Sequence, residues 1–169
     1  MRNTLMVGGI AIIAIGIGVF VFLYGGNRFN SSSAVANNNL SVVAVPFTKI
    51  VQGDTSTIKN RVNYFINSSE QLNELWGMID ATSTPPKIDF KKEAVIAVFA
   101  GKQTVADYSI YVSKIIDSDT RMVYITLAKP DGKCAKKQSE VFPYEIITIP
   151  STSLQLAHED IQTTTNCPK

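Results

Sequence analysis

The chain has few of the side chains from which catalytic and metal centres are built. Its 169 residues include one histidine, two cysteines and one tryptophan. One histidine and two cysteines far apart in sequence cannot form a closed zinc site, and no C-x-x-C motif offers a redox pair. Phosphate-binding loops and dinucleotide fingerprints are missing as well. The sequence therefore predicts no metal site, no cofactor and no catalytic residue, and the protein is expected not to be an enzyme.

A hydrolase that uses a serine or a carboxylate is the weakest functional hypothesis. His158 lies in the C-terminal stretch LAHEDIQ, and neither Ser151 nor Ser153 has the surroundings of a nucleophile elbow. We therefore expect an exposed histidine with no catalytic role. Asp117 and Asp119 have the i, i+2 spacing of a calcium loop, but the glycine and the distal glutamate of that loop are missing. A solvated turn is predicted there.

Acidic residues are absent from the first 39 positions, which contain two of the 16 basic residues. The other 14 basic residues are balanced by all 14 acidic ones, so residues 40–169 are neutral by formal count. A neutral domain has no overall field that would attract a phosphate backbone. Nucleic acid is therefore not an expected partner.

A run of 20 uncharged residues from Leu5 to Tyr24, LMVGGIAIIAIGIGVFVFLY, predicts a transmembrane helix. At about 1.5 Å per residue it spans the ~30 Å hydrocarbon core. A cleaved signal peptide is the alternative, because Ala34-Val35-Ala36 resembles a cleavage site. That site lies well beyond an apolar run already longer than a signal peptide needs, so an uncleaved anchor over residues 1–24, in contact with membrane lipid through residues 5–24, is favoured.

Residues 25–40, GGNRFNSSSAVANNNL, are a polar spacer with nothing to bury, and residues 41–169 form the predicted domain. The charges that flank the apolar run decide its orientation only weakly. The spacer and the two cysteines favour a single-pass protein of the cell membrane with an extracytoplasmic domain. A Cys134–Cys167 disulfide would attach the C-terminal tail to the domain and contribute about 3–4 kcal/mol, with two free thiols as the alternative.

The domain is predicted to be α+β, a mainly antiparallel sheet with one short helix packed on one face. Strands are indicated at 41–51 (interrupted by Pro46), 60–66, 93–100, 108–116, 121–128 and 144–149. The run at 93–100, EAVIAVFA, is apolar enough for a strand covered on both faces. Ser68 and Gln71 fit a capping box, and an apolar stripe at helical spacing follows: Leu72, Leu75, Trp76 and Ile79. Trp76 is therefore expected in the core rather than stacked on a ligand.

Two loops are the predicted partner-binding sites, because recognition residues are common on loops held by a rigid sheet. The first contributes Gly101, Lys102, Gln103, Thr104, Asp107 and Tyr108. The second, KPDGKCAKK at 129–137, contributes Lys133, Lys136 and Lys137. These lysines would face an acidic partner or lipid headgroups, unless they are simply solvated. An alternative function is a small-ligand or cell-wall-glycan module, with a concave pocket lined by exposed aromatic residues for which Tyr108, Tyr111 or Tyr124 are candidates.

Two stretches of the domain resemble the C-terminal domain of the protease complex subunit PrcB family. In EAVIAVFAGKQTVADYSI at 93–110, an apolar strand ends in a glycine and a Tyr-Ser-Ile strand resumes after a short polar loop. The closing FPYEIITIP at 142–150 is similar to the family's Pro-Tyr strand with its terminal Ile-Pro, and the preceding helix also matches its arrangement. The loop departs from the family pattern, since Val105, Ala106 and Asp107 stand where Thr-Gly-Gly is usual.

The resemblance implies a non-catalytic role. Founding members of the family are described as partners of a secreted or surface protease that assist its assembly or stability, and many relatives are anchored domains. The leading hypothesis is therefore a membrane-anchored, extracytoplasmic accessory domain that binds a protein partner, by analogy a protease. A sheet edge or the loops at one end of the domain are the expected contact surfaces.

Overall fold

The computed structural model describes residues 41–79, 81, 83–132 and 138–166. The predicted anchor and spacer, both cysteines and the lysines at 133, 136 and 137 lie outside these residues. Within the described ranges no helix is long and apolar enough to cross a membrane. The described residues therefore all belong to the domain that the sequence places at 41–169.

Ten strands and one helix make up the described part of the chain. They run in the order β1 (Val43–Ala44), β2 (Thr48–Gly53), β3 (Val62–Ile66), α1 (Ser69–Trp76), β4 (Glu93–Phe99), β5 (Gln103–Val105), β6 (Ser109–Asp117), β7 (Arg121–Pro130), β8 (Gln138–Val141), β9 (Tyr144–Pro150) and β10 (Leu156–Thr165). The six predicted strand regions and the helix are confirmed, with ends that differ by a few residues. Pro46 separates β1 from β2, as the sequence indicates.

The strands form two four-stranded sheets and a short ribbon. The first sheet has the order β2-β9-β4-β3, the second has the order β1-β6-β7-β10, and β5 pairs with β8. Every pairing is antiparallel except that of β10 with β7. The mainly antiparallel pairing and the single short helix are confirmed for the described residues. The expectation of one sheet is wrong, because a second sheet covers the face of the first that α1 leaves open.

Strand β4 lies at the centre of three layers, and its side chains alternate between two cores. Ala94, Ile96 and Val98 pack against the second sheet, together with residues of β6, β7 and β9. Their neighbours Val95 and Phe99 pack on the other face, against α1. Since both faces of β4 are covered, its run of apolar residues is buried without interruption, as its composition predicts.

Helix α1 begins as its capping box predicts. The Ser68 side chain accepts a hydrogen bond from the Gln71 N–H at 3.3 Å, and the Gln71 side chain accepts one from the Asn67 N–H at 3.1 Å. Leu72, Leu75 and Trp76 are buried against the first sheet. The Trp76 ring nitrogen donates to the Ser83 carbonyl at 2.7 Å, which satisfies its polar atom. The prediction of a core tryptophan is confirmed.

Strand β10 is the main element that sequence patterning does not predict. Its sequence, LAHEDIQTTT, lacks apolar alternation, yet it pairs with β7 in parallel from Leu156↔Arg121 to Thr165↔Pro130. A parallel neighbour requires a crossover, and here the chain passes from β7 through β8 and β9, an inner strand of the first sheet, before it returns as β10. His158 lies on this strand and is half-buried, so the expectation of an exposed histidine is wrong. It lines a cavity of about 10 Å³ between the two sheets.

A buried carboxylate joins the two sheets. Glu145 of β9 is 4% exposed, and its Oε2 accepts a hydrogen bond from the Val112 N–H of β6 at 2.6 Å. That N–H lies at a bulge between Val112 and Lys114. Burial raises the pKa of Glu145, while the bonded N–H and the charge of Lys49 oppose that rise. The Glu145 carboxylate therefore satisfies the Val112 N–H, although burial of an ionisable acid in the core is itself unfavourable.

The raised pKa of Glu145 predicts a stability that declines with rising pH. Between its unfolded value near 4.5 and its higher folded value, the folded state binds more protons than the unfolded state, so the free energy of unfolding falls across that window. Glu145→Gln keeps an acceptor and cannot ionise, so this decline should disappear. Chemical denaturation from pH 4 to pH 8 measures it, with the exposed Glu159→Gln as the control. An unchanged decline in Glu145→Gln would contradict the assignment.

Candidate functional site

The first predicted contact loop leaves β4 through a glycine that no other residue would replace easily. Gly101 is buried and has φ +71°, in the left-handed region. A Cβ on it would lie 2.7 Å from the Asn60 carbonyl carbon and 2.8 Å from the Lys59 oxygen, both backbone atoms. The next residue, Lys102, donates its N–H to the Lys59 carbonyl at 3.0 Å. The loop therefore packs tightly on the segment that precedes β3.

Beyond Gly101 the loop is not irregular but forms the two-stranded ribbon β5–β8. Gln103 pairs with Val141 and Val105 with Gln138, and the Gln103 side chain donates to the Ala100 carbonyl at 3.1 Å. Lys102 Nζ forms an ion pair with Glu140 of β8, and both side chains are about half exposed (49% and 53%). We call the segment 101–108 together with β8 the ribbon end of the domain.

Asp107 lies in the ribbon end with an unusual backbone conformation. This residue has φ 70°, so it takes the left-handed conformation that glycine adopts most readily. Aspartate tolerates that region better than most residues, because its short polar side chain forms local hydrogen bonds. The left-handed turn therefore forms here without a glycine.

Asp107 should therefore tolerate glycine but not a β-branched residue. Asp107→Gly is expected to change the free energy of unfolding by less than about 1 kcal/mol, whereas Asp107→Val should lower it by about 1–2 kcal/mol through left-handed strain. Thr104→Val is the matched control, since Thr104 is exposed in β5 and a strand suits valine. Equal midpoints for the two valine variants in urea would contradict this prediction.

The described flanks of the second predicted contact loop lie at the end of the domain that carries the first. Strand β7 ends at Pro130, and β8, which follows the second loop, pairs with β5 of the first. Of the first loop, Lys102, Thr104 and Asp107 are exposed, Gln103 and Tyr108 are half-buried, and Gly101 is buried. The side chains of Lys133, Lys136 and Lys137 lie outside the described residues. Lys129 belongs to β7 rather than to a loop.

The three tyrosines of the alternative ligand site lie outside both described cavities. Tyr108, Tyr111 and Tyr124 are half-buried, and none lines either of the two small cavities described. Lys114 lies 4.1 Å from the centre of the Tyr124 ring, a cation–π contact within the hairpin of β6 and β7. The geometry therefore adds nothing to the hypothesis of a glycan module.

Two arginines that the sequence patterns do not identify connect strands of the two sheets. Arg61 joins Asp160 of β10 at 2.8 and 3.1 Å and donates to the Phe99 carbonyl of β4 at 3.1 Å. Arg121 is 4% exposed and binds both carboxylate oxygens of Asp117 at 2.7 Å. The Arg121 contact lowers the pKa of Asp117. Asp117 is thus an ion-pair partner at the β6–β7 turn.

Among the described residues, no three side chains of the types that bind metals lie close enough together to hold an ion.

The comparisons with known proteins agree with the resemblance seen in the sequence. The family model described as PrcB C-terminal matches residues 94–150, which run from the second residue of β4 to the end of β9 and include the ribbon end. No curated protein and no solved structure matches the chain. Residues 94–150 of this chain are therefore similar to the PrcB C-terminal family.

Proposed function

We propose that the chain is a non-catalytic accessory subunit that binds a protein partner, by analogy with its family a secreted or surface protease. The observation that carries the proposal is the match to the PrcB C-terminal family, which centres on β4, the ribbon end and β9. The ribbon end suits recognition because exposed side chains stand on a backbone held by Gly101 and by β8. The proposed mechanism is binding alone, with no bond made or broken by this chain.

We further propose that residues 5–24 anchor the domain at the outer side of the cell membrane. The apolar run and the polar spacer support this, as in the sequence analysis. Protease added to intact cells should release the domain 41–169, with a known surface protein as the positive control. If the domain stays intact while the surface marker is cut, the topology is wrong.

A Cys134–Cys167 disulfide belongs to the same proposal. Asp131 donates its N–H to the Thr165 carbonyl at 3.1 Å, and the two cysteines follow these residues by three and two positions. At about 3.3–3.6 Å per residue, the segments that follow Asp131 and Thr165 are long enough to bring the two cysteines to the ~5.5–6 Å Cα separation of a disulfide. Thiol alkylation of the denatured chain should label neither cysteine before reduction and both after it. Labelling before reduction would exclude the disulfide.

Recovery of a complex from the native membrane tests the binding function. The full chain, tagged and expressed at its natural level, should co-purify with a defined protein after mild detergent extraction. The double variant Lys102→Glu/Thr104→Arg, at two exposed positions of the ribbon end, should reduce that recovery at least about tenfold, as loss of about 1.4 kcal/mol would. Lys92→Glu is the control, since this 82%-exposed lysine precedes β4, at the opposite end of that strand. Recovery of the chain alone would overturn the proposal.

A further inference from the structure

An apolar groove runs between strand β3 and helix α1, which we call the β3–α1 groove. Ile66 and Leu75, both buried, lie among its lining residues, together with the half-buried Tyr64 and Met78. Its volume is about 40 Å³, roughly three times the ~10–15 Å³ that holds one water molecule. A site of this size and polarity fits an aliphatic side chain of three or four carbons.

The strand beside the groove is an edge strand. Among the described residues β3 pairs only with β4, at the end of the order β2-β9-β4-β3. Every second residue of an edge strand directs its N–H and C=O away from the sheet, and an added strand can pair with them. At the start of β3, Arg61 Nη1 donates to the Val62 carbonyl at 3.0 Å and to the Phe99 carbonyl of β4 at 3.1 Å, so it closes the β3–β4 pairing at that end. The part of β3 from Tyr64 to Ile66 lies directly beside the groove.

The rim of the groove is acidic. Glu74 lines it, and Glu70, one helical turn earlier, lies on the same face of α1, because residues four apart are neighbours on a helix. Both are exposed, and α1 has no basic residue in its last turn. An extended segment entering the groove would therefore meet negative charge along one side. This charge favours lysine or arginine in the incoming segment.

We propose that an extended segment of the partner protein binds along β3 as an added strand, with an aliphatic side chain in the β3–α1 groove and a lysine or arginine facing Glu74. The inference rests on the proposed protein-binding function and names the surface and the chemistry of the segment. Backbone hydrogen bonds to an edge strand supply affinity, and the pocket for one side chain supplies specificity.

A synthetic peptide tests the groove without knowledge of the partner. The probe is the fluorescein-labelled peptide Lys-Val-Lys-Leu-Thr-Val-Lys, and the reference is the same peptide with each lysine replaced by glutamate. Fluorescence anisotropy with the full chain in detergent, at about 0.15 M salt, should show saturable binding of the basic peptide only. Glu74→Lys and Met78→Gln should each weaken it at least about fivefold, a loss of about 1 kcal/mol. Glu159→Lys, the same charge change on β10, should leave the affinity unchanged.

Hydrogen exchange locates the bound peptide. Amides of β3 between Tyr64 and Ile66 should gain protection when the peptide binds, whereas those of β10, the edge of the second sheet, should not. Absence of saturable binding, equal affinity in Glu74→Lys, or protection of β10 instead of β3 would each overturn the inference.

Co-purification of the partner by the Glu74→Lys chain at the normal level would reject the groove and leave the accessory function standing. Failure of co-purification by the unmodified chain would reject the function itself.

Discussion

Arg121→Met should lower the free energy of unfolding by about 3 kcal/mol, the lower end of the cost of breaking a buried ion pair. The guanidinium is 4% exposed, holds both oxygens of Asp117 and donates to the Pro150 carbonyl at the end of β9. Methionine fills most of the space but donates no hydrogen bond, so the Asp117 carboxylate and that carbonyl would lose their partner. The urea midpoint of the full chain in detergent measures the loss.

The pH dependence separates this ion pair from a packing effect. Arg121 lowers the pKa of Asp117, so the pair contributes stability above the unfolded value near 3.8 and loses it as the pH falls toward the folded value. In Arg121→Met that acid-induced loss should shrink. Lys114→Met is the matched control, since its cation lies over the Tyr124 ring and is exposed, and it should cost about 0.5–1 kcal/mol. Equal losses for the two variants would show that Arg121 does not act through the buried pair.

Gly101→Ala should lower the free energy of unfolding by about 2–5 kcal/mol. About 1–2 kcal/mol comes from the left-handed conformation of a residue with a Cβ, and a further 1–3 kcal/mol from overpacking. The atoms that the Cβ would meet belong to the backbone of 59–61, which cannot turn aside as a side chain can. The displacement would also weaken the hydrogen bond from the Lys102 N–H to the Lys59 carbonyl.

Gly132→Ala provides the control for that substitution. No atom lies within 4 Å of a Cβ built at Gly132, so alanine there should change stability by no more than about 0.5 kcal/mol. In the co-purification assay, Gly101→Ala should also reduce recovery of the partner, because the glycine sets the direction of the ribbon end. A Gly101→Ala chain as stable as Gly132→Ala would contradict the strained turn.

Local patterns in the sequence predict the elements of this domain well. The capping box at Ser68 and Gln71 and the stripe from Leu72 to Ile79 determine α1, because helix caps and helical spacing involve neighbours in sequence. Alternating or continuous apolar residues predict β3, β4, β6, β7 and β9, because the pattern within each strand shows whether one or both of its faces are buried. The PrcB resemblance likewise rests on adjacent residues.

The candidate site could be predicted only in part. The loop after Gly101 is indicated by its glycine and by the strands on either side, but its pairing with β8 is not, because three polar residues and one valine after a lysine-rich stretch carry no strand pattern. The β3–α1 groove has no sequence signal at all. It exists because α1 packs on the first sheet without covering the edge at β3, and a gap between elements is a property of their packing.

By itself, the sequence determined the helix, most strands and the similarity of residues 94–150 to the PrcB C-terminal family, and it predicts an anchor at 5–24, since each depends on residues close together in the chain. Only the tertiary structure decided that there are two sheets rather than one, that the polar segment LAHEDIQTTT becomes a parallel edge strand, and that Arg121 and Glu145 are buried. The physical reason is that polar side chains enter a core only when distant backbone groups satisfy them. The Arg121 guanidinium donates to the Pro150 carbonyl, 29 residues away in sequence, and the Glu145 carboxylate accepts from the Val112 N–H, 33 residues away.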